Sequence, residues 1–417
     1  MTAPERLRAA VRVFRELGWA DATPADAATL PLGTPEQRRV ALAGLRSGPW
    51  GALGETAPGT YGFVPWVDVD RALLGLFAVR VGVDARRAVA VLPGPGTVPD
   101  EVLAEVLTTR GPEFALQLVA SACVPRLRMW THDTTRFAGV VVRLVLVHDL
   151  PVPEHLDYLK DWSVYAAGAL GVAGDDDLVP RDRGWIEGDR LAPRYAEHAR
   201  AAVAAGVPAT GPFAATLGPA AARGWIGRDE AVDLAFRALD AAQRPGDRAA
   251  WAGVLADRLG VTDDEVAARA VPLLPVLVQG DGPVLERLAP AVLARGDDAS
   301  VVELLSGALL AAPARSRRLL LRAAARRTAP ALGADDPLLA TLADLADDPS
   351  PAVSADARAL VEAWSLDAVA AHAEPAAPVA PAARGLWQPT PPLWTVPRFD
   401  PGPATVERLV DAVRTVL

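Results

Sequence analysis

The tetrapeptide Arg183-Gly184-Trp185-Ile186 returns forty residues later as Arg223-Gly224-Trp225-Ile226, and no other feature limits the fold of this chain so tightly. Each copy leads into an acidic turn and then a run of apolar residues three and four apart that stops near a Gly or Pro. The wording decays but the rhythm persists, with helix starts near 188, 228, 263, 299 and 336. Intervals of 35 to 40 residues match one helix pair of an α-solenoid, whose units cannot bury an apolar face alone and must stack on their neighbours. The phase predicts first helices at 188–204, 228–243, 263–278, 299–311 and 336–346. Second helices are expected at 212–222, 247–259, 283–294, 315–328 and 351–364.

Local signals agree with this phase. Thr262-Asp263-Asp264-Glu265 has the form of a capping box, in which the Thr oxygen accepts from the backbone and the Glu reaches back. Ser300-Val301-Val302-Glu303 reads as a second one, and Asp336-Pro337 sets a cap before a proline at the first helical position. Val232, Phe236 and Leu239, and Trp251, Val254, Leu255 and Leu259, form apolar faces for neighbours to cover.

Residues 1–175 read as an irregular helical half. Leu7, Ala10, Val11, Phe14 and Leu17 make one stripe over 4–17, Pro35 opens a second helix, and a third follows Asp68 and Asp70. Residues 47–66, dense in Gly and Pro between Trp50 and Trp66, are expected to be an irregular loop. Residues 101–107 and 113–122 form a further pair. The β-branched run 140–147 is assigned to a buried helix over 134–148, because no partner strand is evident, and 155–170 is amphipathic.

Composition narrows the function classes. A net charge of −9 opposes general affinity for nucleic acid or anionic membranes, and with Lys160 the only lysine, basic character here is arginine character. A single cysteine, Cys123, excludes an internal disulfide and points to a reducing cytoplasm. No uncharged apolar run approaches the ~18 residues of a membrane span. Asp68-Val69-Asp70 reads as a helix cap rather than a metal–nucleotide pair, and Pro93-Gly94-Pro95-Gly96 lacks the order of a phosphate loop. His148 and His155 are separated by Pro151 and Pro153, His132-Asp133 is merely adjacent, and one cysteine cannot build a thiolate zinc site. No catalytic, cofactor-binding or metal-ligating residue is therefore assigned.

Asp347-Asp348-Pro349-Ser350-Pro351-Ala352-Val353, followed by Ala357, Leu360 and Trp364, resembles a HEAT-type repeat, with Ser354 where that family often has arginine. The tetrapeptide openings, the helix array and a Pro-rich, Trp-containing tail together resemble a family of uncharacterised actinobacterial helical-repeat proteins. Its members are often encoded beside SWIM zinc-finger, von Willebrand A-domain and MoxR-type ATPase proteins. The resemblance implies a partner-dependent scaffold, with an ATPase or a von Willebrand A-domain protein as partner, and carries over no functional residues. The fold class is accordingly all-α: a HEAT-like α-solenoid at 183–366 after the irregular half, then an extended Pro-rich segment at 373–403 and an amphipathic helix at 404–417.

Two features are candidate partner contacts. Arg315, Arg318, Arg322 and Arg326 fall on one stripe of the helix at 315–328, with Arg317 and Arg327 beside them and Leu320, Leu321 and Ala324 facing the core. Such guanidinium groups pair with acids of neighbouring turns (Asp297, Asp298, Asp335, Asp336, Asp347 and Asp348), dock an acidic protein, or bind phosphate. In the tail, Trp387 and Trp394 repeat at a spacing of seven and either anchor the segment on the array or present it to a partner. The leading functional expectation is a non-enzymatic cytoplasmic scaffold that binds proteins through its helical surface. The alternative is a glycosylase-like nucleic-acid binder, using the Arg stripe with Trp251 or Trp364 as a wedge. A third, an activity in 1–175, would have only His132, Asp133, Asp68 and Asp70 to draw on.

Overall fold

The computed structural model describes residues 2–57, 59–94, 97–123, 137–172 and 186–366. They are predominantly helical. Prolines punctuate the chain: Pro35, Pro112, Pro212, Pro245, Pro337 and Pro351 each stand in the first turn of a helix, where a missing N–H costs nothing. Helix α1 (Ala3–Glu16) packs on α2 (Pro35–Leu45), and Gly44 meets the Arg6 carbonyl so closely that any side chain there would collide with it.

Residues 47–66 depart from the expected loop. Gly51–Ala57 (β1) and Thr60–Pro65 (β2) form an antiparallel hairpin in register Gly51↔Pro65 to Glu55↔Tyr61. β2 holds the strand formers Thr60, Tyr61, Phe63 and Val64, whereas β1, Gly-Ala-Leu-Gly-Glu-Thr-Ala, has little strand propensity of its own and is held by the pairing. Gly51 lies directly against the Phe63 ring, which excludes a side chain there. Trp50 at its base is buried, whereas Leu53 and Tyr61 are 85% and 78% exposed.

From residue 71 onward helices come in consecutive pairs. These are α3 (Arg71–Val81) with α4 (Ala85–Val91), α5 (Asp100–Thr108) with α6 (Pro112–Ala122), and α7 (Ala138–Val147) with α8 (Leu156–Ala169). Next come α9 (Gly188–Leu191) and α10 (Tyr195–Ala204) with α11 (Pro212–Ala222), then α12 (Arg228–Ala241) with α13 (Pro245–Gly253). Then follow α14 (Asp263–Ala267) and α15 (Ala270–Leu277) with α16 (Gly282–Arg295). The last are α17 (Asp298–Ala311) with α18 (Ala314–Ala324), and α19 (Pro337–Ala346) with α20 (Pro351–Ala363). First helices touch the next first helix (α3 to α5 to α7, and α10 to α12, α15, α17 and α19), and α13, α16, α18 and α20 do the same among second helices. This pairing runs upstream of the boundary expected at Arg183, through residues described above as irregular. The run 138–147 is a buried helix, as its surroundings implied.

Three expected helices are modified. The one at 188–204 is interrupted by a 3₁₀ turn at Ala192–Arg194, where Pro193 has no N–H to donate, and that at 263–278 breaks between Ala267 and Ala270, just before Pro272. The third, 247–259, widens to a π-type turn over Val254–Arg258. The Thr262 box forms as expected: Thr262 Oγ1 accepts from Glu265 N at 3.2 Å while Glu265 Oε2 accepts from Thr262 N at 2.8 Å. Thr262→Ala should cost about 1 kcal/mol in urea unfolding, the usual effect of losing such a cap, and an unchanged midpoint would refute the assignment. The box expected at Ser300 does not form. Asp297 is the cap, accepting from Ser300 N at 2.7 Å, and Ser300 is buried inside the first turn.

The Arg-Gly-Trp-Ile phrase closes one helix before it opens the next. Gly224 adopts φ +73°, Trp225 N donates to Ala220 O at 2.9 Å, and Ile226 is buried. Arg183, Gly184 and Trp185 lie outside the described residues, while Ile186 is buried like its counterpart. The core carries a chain of rings across successive pairs. Trp162 stacks on His198 at 4.9 Å and lies 5.3 Å from Tyr195, and Phe213 bridges Trp162 (6.2 Å) to Trp251 (5.9 Å). No helix among the described residues is long and apolar enough to cross a membrane. The segments at 373–403 and 404–417, and with them Trp387 and Trp394, lie outside the described residues.

Candidate functional site: an arginine-lined groove

Arginine does two structural jobs in this chain. The first is to cap helix ends: Arg110 donates to the carbonyls of Val79 and Val83 at the end of α3, Arg194 to Val145 and Leu150 beyond α7, and Arg327 to Leu293 and Gly296 beyond α16. A cation at a helix C-terminus satisfies carbonyls without intrahelical partners and meets the negative end of the dipole. The second job is to link successive helix pairs. Arg200–Glu230 (2.6 Å), Arg269–Asp233 (2.6 Å), Arg315–Glu286 (3.0 Å) and Arg317–Asp348 (3.2 Å) each join residues roughly one helix pair apart.

The expected stripe lies on α18, whose regular hydrogen bonding stops at Ala324, so Arg326 stands in the turn just beyond it. Arg318 Nε and Arg322 Nε donate to the two oxygens of Asp356 on α20 at 2.8 and 2.9 Å. Burial tends to raise the Asp356 carboxyl, but these bonds outweigh it and hold the group below its ordinary value. Arg315, 85% exposed, takes Glu286 on α16, and at that exposure the pair adds little stability. Arg326 is exposed and has no carboxylate within ion-pair distance among the described residues. The acids expected to neutralise the stripe pair with none of its four members: Asp298 takes Arg327 and Asp348 takes Arg317, both beside it. Glu286 and Asp356, which pair with the stripe itself, were not foreseen.

Between α16 and α18 these side chains border a cavity of about 400 Å³ lined by Pro290, Arg315, Arg318, Leu319, Arg322, Ala323 and Arg326. A second of about 590 Å³ adjoins it, sharing Pro290, Ala323 and Arg326, with Asp263 and Arg327 at its far end. The floor is apolar and the rim cationic. Four guanidinium groups stand over two carboxylates in the first cavity, so it keeps a local positive excess in an acidic chain.

The remaining candidates resolve differently. Asp70 caps α3, its Oδ1 accepting from Ala72 N and Leu73 N at 2.7 and 3.0 Å, and only the backbone carbonyl of Asp68 is engaged, by Arg15 at 2.8 Å. His132 and Asp133 lie outside the described residues. Trp251 and Trp364 are both buried, and Trp364 Nε1 donates to Ala324 O at 3.2 Å, so neither can serve as a nucleic-acid wedge. Burial, with Asp161 and Asp157 nearby, pushes the Cys123 thiol up to about 12, far from a reactive thiolate. No group of three potential metal ligands occurs among the described residues. Where HEAT-type repeats often carry arginine, Ser354 Oγ donates to Ala346 O at 2.6 Å and Arg358 reaches the same carbonyl at 2.7 Å from one turn further on. Comparison with protein-family models, with curated proteins and with solved structures finds no match for this chain.

Proposed function

We propose that this chain is a non-enzymatic cytoplasmic scaffold or adaptor, a HEAT-like α-solenoid that binds protein partners along its helical surface. The observation that supports this reading most directly is the packing of consecutive helix pairs on their neighbours from α3 to α20, tied from α10 onward by Arg–carboxylate bridges about one pair apart. Neighbour-to-neighbour packing leaves long helix faces free of internal duties, the surface that repeat proteins use for recognition. By the family resemblance, an ATPase or a von Willebrand A-domain protein is the partner class to test first.

The test is capture on the tagged full chain from lysate, with and without nuclease, followed by reconstitution from purified components. A stoichiometric, nuclease-insensitive protein that rebinds when purified is the expected result. Recovery of nucleic acid alone would transfer the reading to the nucleic-acid alternative, which the burial of Trp251 and Trp364 already weakens.

A further inference from the structure

The geometry points to the groove between α16 and α18 as a docking site for an acidic peptide segment of a protein partner, with Arg326 as its first contact. This rests on the scaffold reading and narrows it to one surface and one ligand chemistry. Arg326 is the member of the stripe with no carboxylate within ion-pair distance among the described residues, and it borders both cavities. Arg322, more than half exposed, shares its carboxylate with Arg318 and so retains donors for a second acid. The two border the same cavity, Arg322 on the last turn of α18 and Arg326 in the turn beyond it. Asp356, which accepts from both Arg318 and Arg322, shows that neighbouring guanidinium groups of this row can share one carboxylate.

The apolar floor of Pro290, Leu319 and Ala323 suits the methylenes of a peptide side chain between its acids. Asp263 lines the second cavity and repels an acid there, which favours the first cavity, lined by no carboxylate, for the acidic part of the ligand. A nucleic acid fits less well. It gains affinity by neutralising many phosphates along its length, whereas here the positive excess is local and the chain as a whole carries −9.

The experiment is fluorescence anisotropy on the full chain with three labelled probes: a short Glu/Leu peptide, its Gln/Leu analogue, and a single-stranded oligonucleotide of matched charge. The Glu peptide should bind with an affinity that falls as salt rises, and the Gln analogue should bind about tenfold more weakly or not at all. Arg326→Gln, at an exposed position with no ion pair among the described residues, should weaken the Glu peptide about tenfold while leaving the melting temperature unchanged. Arg237→Gln, exposed on α12, should change nothing. Equal binding of the two peptides, an Arg326→Gln variant with full affinity, or tighter binding of the oligonucleotide would each overturn the assignment. A captured protein that still binds Arg326→Gln would remove this groove and leave the scaffold reading intact, whereas absence of any protein partner removes both.

Discussion

Arg248→Ala should lower the unfolding free energy by about 3–5 kcal/mol, the range for stripping one partner from a buried ion pair. Arg248 is 7% exposed, its Nε donates to Asp281 Oδ2 at 2.5 Å, and its NH1 donates to Ala242 O at 3.2 Å and Gln243 O at 3.1 Å. One guanidinium, itself buried, thus satisfies the end of α12, the turn into α13 and the largely buried carboxylate that precedes α16. Alanine leaves an acid and two carbonyls without their donor, and it opens a void where the stem packed. Urea unfolding of the variant reads the effect. The double variant Arg248→Ala/Asp281→Asn should recover part of the loss, because the stranded charge is gone. A single variant within 1 kcal/mol of the parent would show that water replaces the guanidinium at no cost.

The second large effect is acid destabilisation through His198. This side chain is fully buried, Nδ1–H donates to Arg194 O at 2.9 Å, and Nε2 accepts from the Tyr158 hydroxyl at 2.9 Å. The ring stacks on Trp162 at 4.9 Å. Burial is the main cause that lowers its pKa to about 4, and the bond to the Arg194 carbonyl only partly offsets it. The unfolded chain binds a proton near the ordinary value of 6.5 and the folded chain does not until about 4. Stability is therefore fully present above 6.5 and is lost as the pH falls from 6.5 toward 4, by about 3 kcal/mol in all. The upper part of this window lies above the range in which ordinary carboxylates titrate, so the slope of the unfolding free energy between pH 7 and about 5.5, compared with that of a His198 variant, reads the histidine. His198→Asn, which keeps an amide donor for the Arg194 carbonyl, should flatten the profile between pH 7 and about 5.5 even if it is less stable throughout. A variant with the parent slope would sink this account.

How much of the molecule could be read from the chain depends on the reach of the bonds involved. Helix starts at Pro212, Pro245, Asp336-Pro337 and Pro351 rest on groups a few residues apart, and they lie within two residues of expectation. Helix-internal breaks at Pro193 and before Pro272 were local too, but the apolar periodicity that runs through both masked them. The hairpin at 51–65 was hidden because β1 carries no strand-like pattern and the Gly and Pro residues around both strands read as a loop, although β2 holds the strand formers Thr60, Tyr61, Phe63 and Val64. The Ser300 assignment erred on a local competition: Asp297, three residues earlier, offers a charged acceptor to the same turn, and burial of Ser300 follows from that choice.

The candidate site divides the same way. That Arg315, Arg318 and Arg322 share a side of α18 follows from 3.6-residue geometry and the sequence alone determined it, whereas Arg326 stands in the turn beyond Ala324, short of the helix end expected at 328. Which of those cations would be neutralised did not follow. Asp356 lies 38 and 34 residues from Arg318 and Arg322, and Glu286 lies 29 from Arg315. Acids abound at such separations, and only the stacking of α16, α18 and α20 decides which carboxylate arrives within 3 Å and leaves Arg326 facing the groove. Backbone bonding reaches about four residues and so is written locally, whereas charge pairing between helix pairs is settled by packing.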